Sequence, residues 1–188
     1  MKKTTKKMAF IAIFAAVNFV VFSYCKIDIP LQSGHVAIHV ANAIVVVSAL
    51  LLGPVEGGLA GAIGLSIADI LDPRYITSAP KTFLLKFFIG FIAGTCAKKM
   101  KLNEAQNKKE MNRTVLISAV AGLGFNVIFD PLIGYLYKHY ILQLNADTAK
   151  IVTAWASGVT LFNAIVCIFV TLILYTALHK SFEAIFRK

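Results

Sequence analysis

Lys98-Lys99-Met100-Lys101-Leu102-Asn103-Glu104-Ala105-Gln106-Asn107-Lys108-Lys109-Glu110-Met111-Asn112-Arg113 is a long polar stretch in a chain otherwise built of apolar runs. It holds six basic residues. Four more open the chain (Lys2, Lys3, Lys6, Lys7) and three lie near its end (Lys180, Arg187, Lys188), so 13 of the 19 Lys and Arg fall in three clusters. Basic clusters flanking apolar spans mark the cytoplasmic side of a membrane protein. Both termini and the middle loop are therefore assigned to the cytoplasm, and the spans between them must be even in number. The other six basic residues (Lys26, Arg74, Lys81, Lys86, Lys138, Lys150) fall on the outer side and its adjacent helix ends.

Composition agrees with that reading. Hydrophobic residues make up 58% of 188, more than the core of a soluble domain of this size can hide, so lipid is the expected solvent. The net charge of +10 does not indicate nucleic acid. The charges lie at span ends, without aromatic interleaving or a basic face on a soluble domain, and attraction to anionic inner-leaflet lipid accounts for them. Cys25, Cys96 and Cys167 are far apart and lack metal-ligand spacing, so they read as small apolar residues. The Lys-rich start and its apolar run have no small-x-small cleavage site after them and read as a retained first helix.

The expected fold is an all-α membrane protein: one domain over 1–188, a compact bundle of six transmembrane helices with cytoplasmic N- and C-termini. The spans are drawn at about 8–25, 35–53, 57–72, 80–98, 112–138 and 150–178. The third is short for a crossing of roughly 20 residues and needs neighbours or a bent path. Four crossings would require two re-entrant runs. The loops 26–34, 73–79 and 139–149 face outward; the turn 53–58 and the loop 99–111 face inward.

Small residues recur at helical spacing: Ala12/Ala16, Gly57/Gly61, Ala60/Gly64 and Gly90/Gly94. Such pairs let backbones approach closely in lipid. Each serves either internal packing or docking of another membrane subunit, and docking fits the first span best, where Ala9 and Ala15 also flatten the surface. Ionisable residues within spans face the bundle interior or a cavity by default. Asp69 and Asp72 sit near the outer end of the third span, followed by Arg74 and Tyr75. Lys86 is inside the fourth, Asn126 and Asp130 share a face of the fifth, and Trp155 and Asn163 lie on the sixth. His35 and His39 are four apart on the second span, with Asn42 a turn further in. This polar set converges at one depth in the outer half and suggests an outward-open pocket. Against it stands a structural ion pair of Lys86 with Asp69 or Asp130. His35/His39 has metal-ligand spacing but no third ligand, so no metal or other cofactor is expected. No Gly-x-Ser-x-Gly, His-Glu-x-x-His, paired-glutamate or Walker signature is present, which leaves no catalytic residues and argues against an enzyme.

Residues 34–42 (Gly-His-Val-Ala-Ile-His-Val-Ala-Asn), 49–64 (Ala-Leu-Leu-Leu-Gly-Pro-Val-Glu-Gly-Gly-Leu-Ala-Gly-Ala-Ile-Gly), 68–71 (Ala-Asp-Ile-Leu) and 79–90 (Ala-Pro-Lys-Thr-Phe-Leu-Leu-Lys-Phe-Phe-Ile-Gly) resemble the substrate-binding (S) components of energy-coupling-factor (ECF) vitamin transporters. The branch they are most similar to is the one assigned to riboflavin-like, pyridoxine and hydroxymethylpyrimidine uptake. The size and six-helix plan cover the whole chain; the sharp motif match covers about a third of it. The resemblance implies a vitamin-binding subunit of an ABC-type importer in the bacterial plasma membrane. Its partners would be a transmembrane scaffold and two ATPase subunits that hydrolyse the ATP, and Ala12/Ala16 would be the docking pair. A vitamin B6 form or hydroxymethylpyrimidine is the first expectation, with pantothenate, folate or riboflavin as alternatives. Asp69, Asn126, Asp130 and Trp155 are the expected ligand contacts, followed by His39, Asn42 and Lys86; Lys86 and Arg74 suit an anionic group. A self-sufficient secondary transporter is the rival class, but no inverted repeat or pair of broken helices supports it.

Overall fold

The computed structural model describes residues 3–31 and 34–186. Lys2, Arg187 and Lys188 of the terminal basic clusters lie outside the described residues, as do Gln32 and Ser33 of the loop expected over 26–34. Six helices and one hairpin follow in the order α1 (Lys3–Tyr24), β1 (Lys26–Leu31), β2 (Gly34–His39), α2 (Ala41–Leu52), α3 (Pro54–Leu71), α4 (Ala79–Lys99), α5 (Lys108–Leu136) and α6 (Ala146–Phe186). Every helix except α2 is long and apolar enough to cross a membrane.

The second span expected over 35–53 is corrected. Its first part is a strand, and only 12 residues, Ala41–Leu52, are helical. β1 and β2 pair antiparallel from Lys26↔His39 to Leu31↔Gly34. Alternation in Ile27-Asp28-Ile29 and the β-branched Val36 and Ile38 favour a two-residue period over a helical one. His35 and His39 keep a common face in either conformation, because a spacing of four fits both periods. Helix α2 is about 18 Å long at 1.5 Å per residue, too short to cross, and nine of its residues are buried within the bundle. The turn expected over 53–58 contracts to Gly53, whose φ of 108° ends α2 before Pro54 opens α3.

Helix α3 is an unbroken 18 residues and gets its support from neighbours, not from bending. A Cβ on Gly57 would collide with the backbone of Ala49 on α2, one on Gly64 with the carbonyl of Ala15 on α1, and one on Gly90 with the backbone of Gly58, 2.7 Å away. The pairs Gly57/Gly61, Ala60/Gly64 and Gly90/Gly94 are therefore internal packing of α1, α2 and α4 around α3. On α1 the structure separates two faces. Ala15 is buried against Gly64, which corrects its expected place on the flat outer surface, whereas Ala9, Ala12 and Ala16 are exposed.

Helix α5 contains Pro131, which removes one rung of the helical ladder beside Asp130, and it runs into a π-helical turn at Tyr137–Ile141. Helix α6 has 41 residues, about 60 Å, well beyond the expected 150–178. At one end of the bundle Lys7 pairs with Glu56 at 2.6 Å and Lys6 Nζ donates to the carbonyl of Ile185, gathering the starts of α1 and α3 with the end of α6. The hairpin lies at the opposite end.

Candidate functional site

Beneath the hairpin lies a cavity of about 140 Å³ walled by α2 to α6. Of the seven ligand contacts expected from sequence, six line it: His39 from β2, Asn42 from α2, Asp69 from α3, Lys86 from α4, and Asn126 and Asp130 from α5. The stripe on α5 follows from spacing, since Asn126, Asp130, Gly134 and Lys138 succeed one another at intervals of four on one helical face. His35, Tyr75, Ser78, Lys81, Thr82, Lys138, Thr160 and Asn163 complete the polar lining. Lys81 and Lys138 were read from sequence only as charges at helix ends; the α5 stripe was the signal that would have brought Lys138 in.

The hydrogen bonding separates occupied groups from open ones. Asp130 Oδ1 pairs with Lys81 Nζ at 2.6 Å, and its Oδ2 accepts from Thr160 Oγ1 at 2.8 Å. Asp69 Oδ2 accepts from Thr82 Oγ1 at 2.5 Å. The expected ion pair of Lys86 with either aspartate is thereby corrected. Lys81 and Lys86 are five residues apart and point about 140° away from one another around the helix, and it is Lys81 that meets Asp130. Asn163 accepts from His39 N at 3.1 Å and donates to Ala37 O at 2.9 Å, which pins β2 to α6. Among the described residues, His39 Nδ1, Asn42 Oδ1 and Asn126 Oδ1 are buried without a hydrogen-bond partner. Lys86 and Lys138 make no ion pair there either.

A charged clamp holds the hairpin over the cavity. The side chain of Lys26 is 4% exposed; its Nζ lies 2.7 Å from Asp72, 4.2 Å from the centre of the Tyr75 ring and 4.6 Å from that of Phe22. Arg74 bridges Asp28 at 2.5 Å and Asp72 at 2.7 Å, and Tyr75 donates to Asp28 at 2.6 Å. The Arg74 hydrogen bond, with that of Lys26 behind it, holds the Asp72 carboxyl well below the usual carboxylate range. Burial and the bond to Asp28 push the Tyr75 phenol up, so it remains a donor. Phe22, His35 and Tyr75 roof the cavity. Arg74 is engaged in the clamp and does not line the cavity, which corrects its expected role toward an anionic ligand.

Trp155 is not brought to the cavity. It is 60% exposed and lies in an apolar surface groove with Ile38, Gly158 and Phe162. One residue is about 100° of helix rotation, so Ala156, Thr160 and Asn163 face the cavity while Trp155 faces away.

A helical bundle with apolar outer faces and five helices of membrane-crossing length has the architecture of a multi-pass membrane protein, here with a polar cavity inside. The particular family follows from comparison. The family model for "ECF-type riboflavin transporter, S component" matches residues 2–180, and the chain belongs to that family. A solved structure described as the S component of a bacterial ECF transporter shares the fold with a TM-score of 0.61 at 16% identity, covering 96% of this chain and 99% of that one. No curated protein sequence matches the chain. The family is one of vitamin-transporter subunits, not of enzymes.

Proposed function

We propose that this chain captures one small heteroaromatic vitamin or vitamin precursor in the cavity and passes it inward through a complex with a transmembrane scaffold and two ATPase subunits. The observation that carries this reading is the set of three buried, unpartnered polar atoms, His39 Nδ1, Asn42 Oδ1 and Asn126 Oδ1, on residues lining one cavity. Each such atom left unsatisfied costs about 1–3 kcal/mol. A flat ring bearing nitrogens and hydroxyls offers them partners and presents its faces to Phe22 and Tyr75. The aspartates are held in place by Lys81, Thr82 and Thr160, so the site is pre-organised.

Size favours a single ring. The cavity of about 140 Å³ is close to the roughly 150 Å³ that accommodates one benzene in an engineered protein cavity. Among the candidates, a vitamin B6 form or hydroxymethylpyrimidine, each with one ring, comes nearest to that space. The second reading is riboflavin, favoured by the family description; its three fused rings require the hairpin or the α5–α6 connection to move. The hairpin end faces outward and the end with Lys6, Lys7, Lys98, Lys101 and Lys180 faces the cytoplasm, by the distribution of positive charge. The exposed Ala12 and Ala16 form the scaffold-docking face, and the whole subunit tips in the plasma membrane to release its ligand. Mass spectrometry of small molecules that co-purify with the detergent-extracted protein tests this. A B-group vitamin or precursor at one per chain supports it. An empty protein that also fails to bind any member of a vitamin panel overturns it.

A further inference from the structure

The charged groups lining the cavity are Lys81, Lys86, Lys138, Asp69 and Asp130, so cations exceed carboxylates by one. Asp130 uses both oxygens, on Lys81 and Thr160, whereas Asp69 accepts from the neutral Thr82 hydroxyl and makes no ion pair among the described residues. His35 and His39 also line the cavity, while the acids of the roof, Asp28 and Asp72, are taken by Lys26 and Arg74. Lys86 and Lys138 are left with no ion pair among the described residues. With Asp69 the one carboxylate left against these two ammonium groups, one positive charge remains over, and such a charge at a site walled by membrane helices is expensive and marks function.

Their placement gives a shape to the missing partner. Lys138, in the π-helical turn, follows Gly134 of α5 by four residues. A Cβ placed on the buried Gly134 would sit 3.4 Å from Lys138 Nζ and 3.8 Å from Lys81 Nζ. Two ammonium groups from different helices therefore converge over one glycine. Apart from the local helix backbone, no other heavy atom comes within 4 Å of that position, so it is bordered by the movable ends of two lysine side chains.

We infer that the ligand is an anion, and that its carboxylate or phosphate is received between Lys81 and Lys138 over Gly134 while its ring reaches Asn42, Asn126 and His39. The inference rests on the reading of the cavity as a vitamin site. Lysine suits it as a mobile point charge that adapts to either anion. The resident Asp130 keeps Lys81 oriented, and the incoming group supplies the charge that Lys138 lacks.

The test is calorimetric titration of the purified whole chain with matched pairs that differ only in charge: nicotinamide and nicotinate for a carboxylate, and pyridoxine and pyridoxine 5′-phosphate or riboflavin and riboflavin 5′-phosphate for a phosphate. In at least one pair the anionic member is expected to bind tenfold or more tightly than the neutral one, and the pair that shows it tells carboxylate from phosphate. Lys138→Gln is expected to collapse that ratio toward one. Gly134→Asp, which places an internal carboxylate between the lysines, should do the same, and Lys138→Arg should keep it. Lys138→Arg and Gly134→Asp also guard against a Lys138→Gln protein that does not fold. Neutral members binding as tightly as anionic ones, or a ratio unmoved by Lys138→Gln, overturns the inference and leaves the vitamin-binding reading standing. Failure of every member of every pair to bind overturns the inference, and the vitamin-binding reading falls with it only when the full vitamin panel fails as well.

Discussion

Replacing Asn126 by Leu should make the empty protein no less stable while crippling its affinity. Asn126 is 2% exposed, and its Oδ1 has no hydrogen-bond partner among the described residues. Leucine keeps the branched shape and removes a desolvated polar atom that costs about 1–3 kcal/mol when unpaired. In the liganded protein the same amide is satisfied, so its loss there removes a hydrogen bond and should weaken binding by roughly 5- to 150-fold. Thermal unfolding in detergent reads both effects at once. A ligand at about 100 times its Kd stabilises the wild type by about 2.7 kcal/mol. If Asn126→Leu raises the Kd tenfold, the same ligand concentration gives only about 1.4 kcal/mol, and the ligand-induced rise in Tm falls by about half. The reasoning is refuted if the variant loses stability without ligand yet retains the full ligand-induced shift, since Asn126 would then be a structural residue.

Trp155→Ala should leave affinity within about twofold of wild type by calorimetry, because Trp155 faces away from the cavity; a loss beyond tenfold would return it to the site. Ala12→Trp and Ala16→Trp should abolish uptake by whole cells while the purified variants bind ligand normally, since bulk on an exposed α1 face blocks a partner helix and not the fold; joint loss of folding and binding, or unchanged uptake, counts against a docking face there. The clamp sets a pH dependence. Asp72 has its folded pKa depressed by Arg74 and then Lys26, so its contribution is complete above the unfolded carboxylate value of about 3.9 and is lost as pH falls through the lower folded value. Hydrogen exchange of the hairpin amides should therefore be equally protected at pH 8 and pH 5 after correction for intrinsic rates and lose protection only below about pH 4. Loss between 7 and 5 would show that another group controls the roof.

The long helices were legible because lipid leaves a simple signature, an apolar run bounded by lysines, and five of the six drawn spans correspond to membrane-length helices. The inward-facing polar residues were legible for a related reason: Asp69, Asn126 and Asp130 have no tolerable place against lipid, so their lining of the cavity followed from cost alone. The hairpin was not legible. Residues 35–40 are apolar enough to extend the helix that follows, and His35 and His39 share a face under either period. Trp155 was misjudged because one position on a helix changes its direction by about 100°, and an apolar helix gives little hint of which face looks inward. The clamp escaped notice since Lys26 and Asp72 are 46 residues apart and meet only through the fold.

The measurement that bears most directly on the central claim is equilibrium binding of B-group vitamins and their precursors to the purified subunit without nucleotide or partner. The account predicts one ligand per chain with nanomolar affinity, about 12 kcal/mol at 1 nM, together with at least a fivefold loss in Asn126→Leu. Absence of binding across the panel, or tight binding indifferent to Asn126, Asn42 and His39 together, would contradict it.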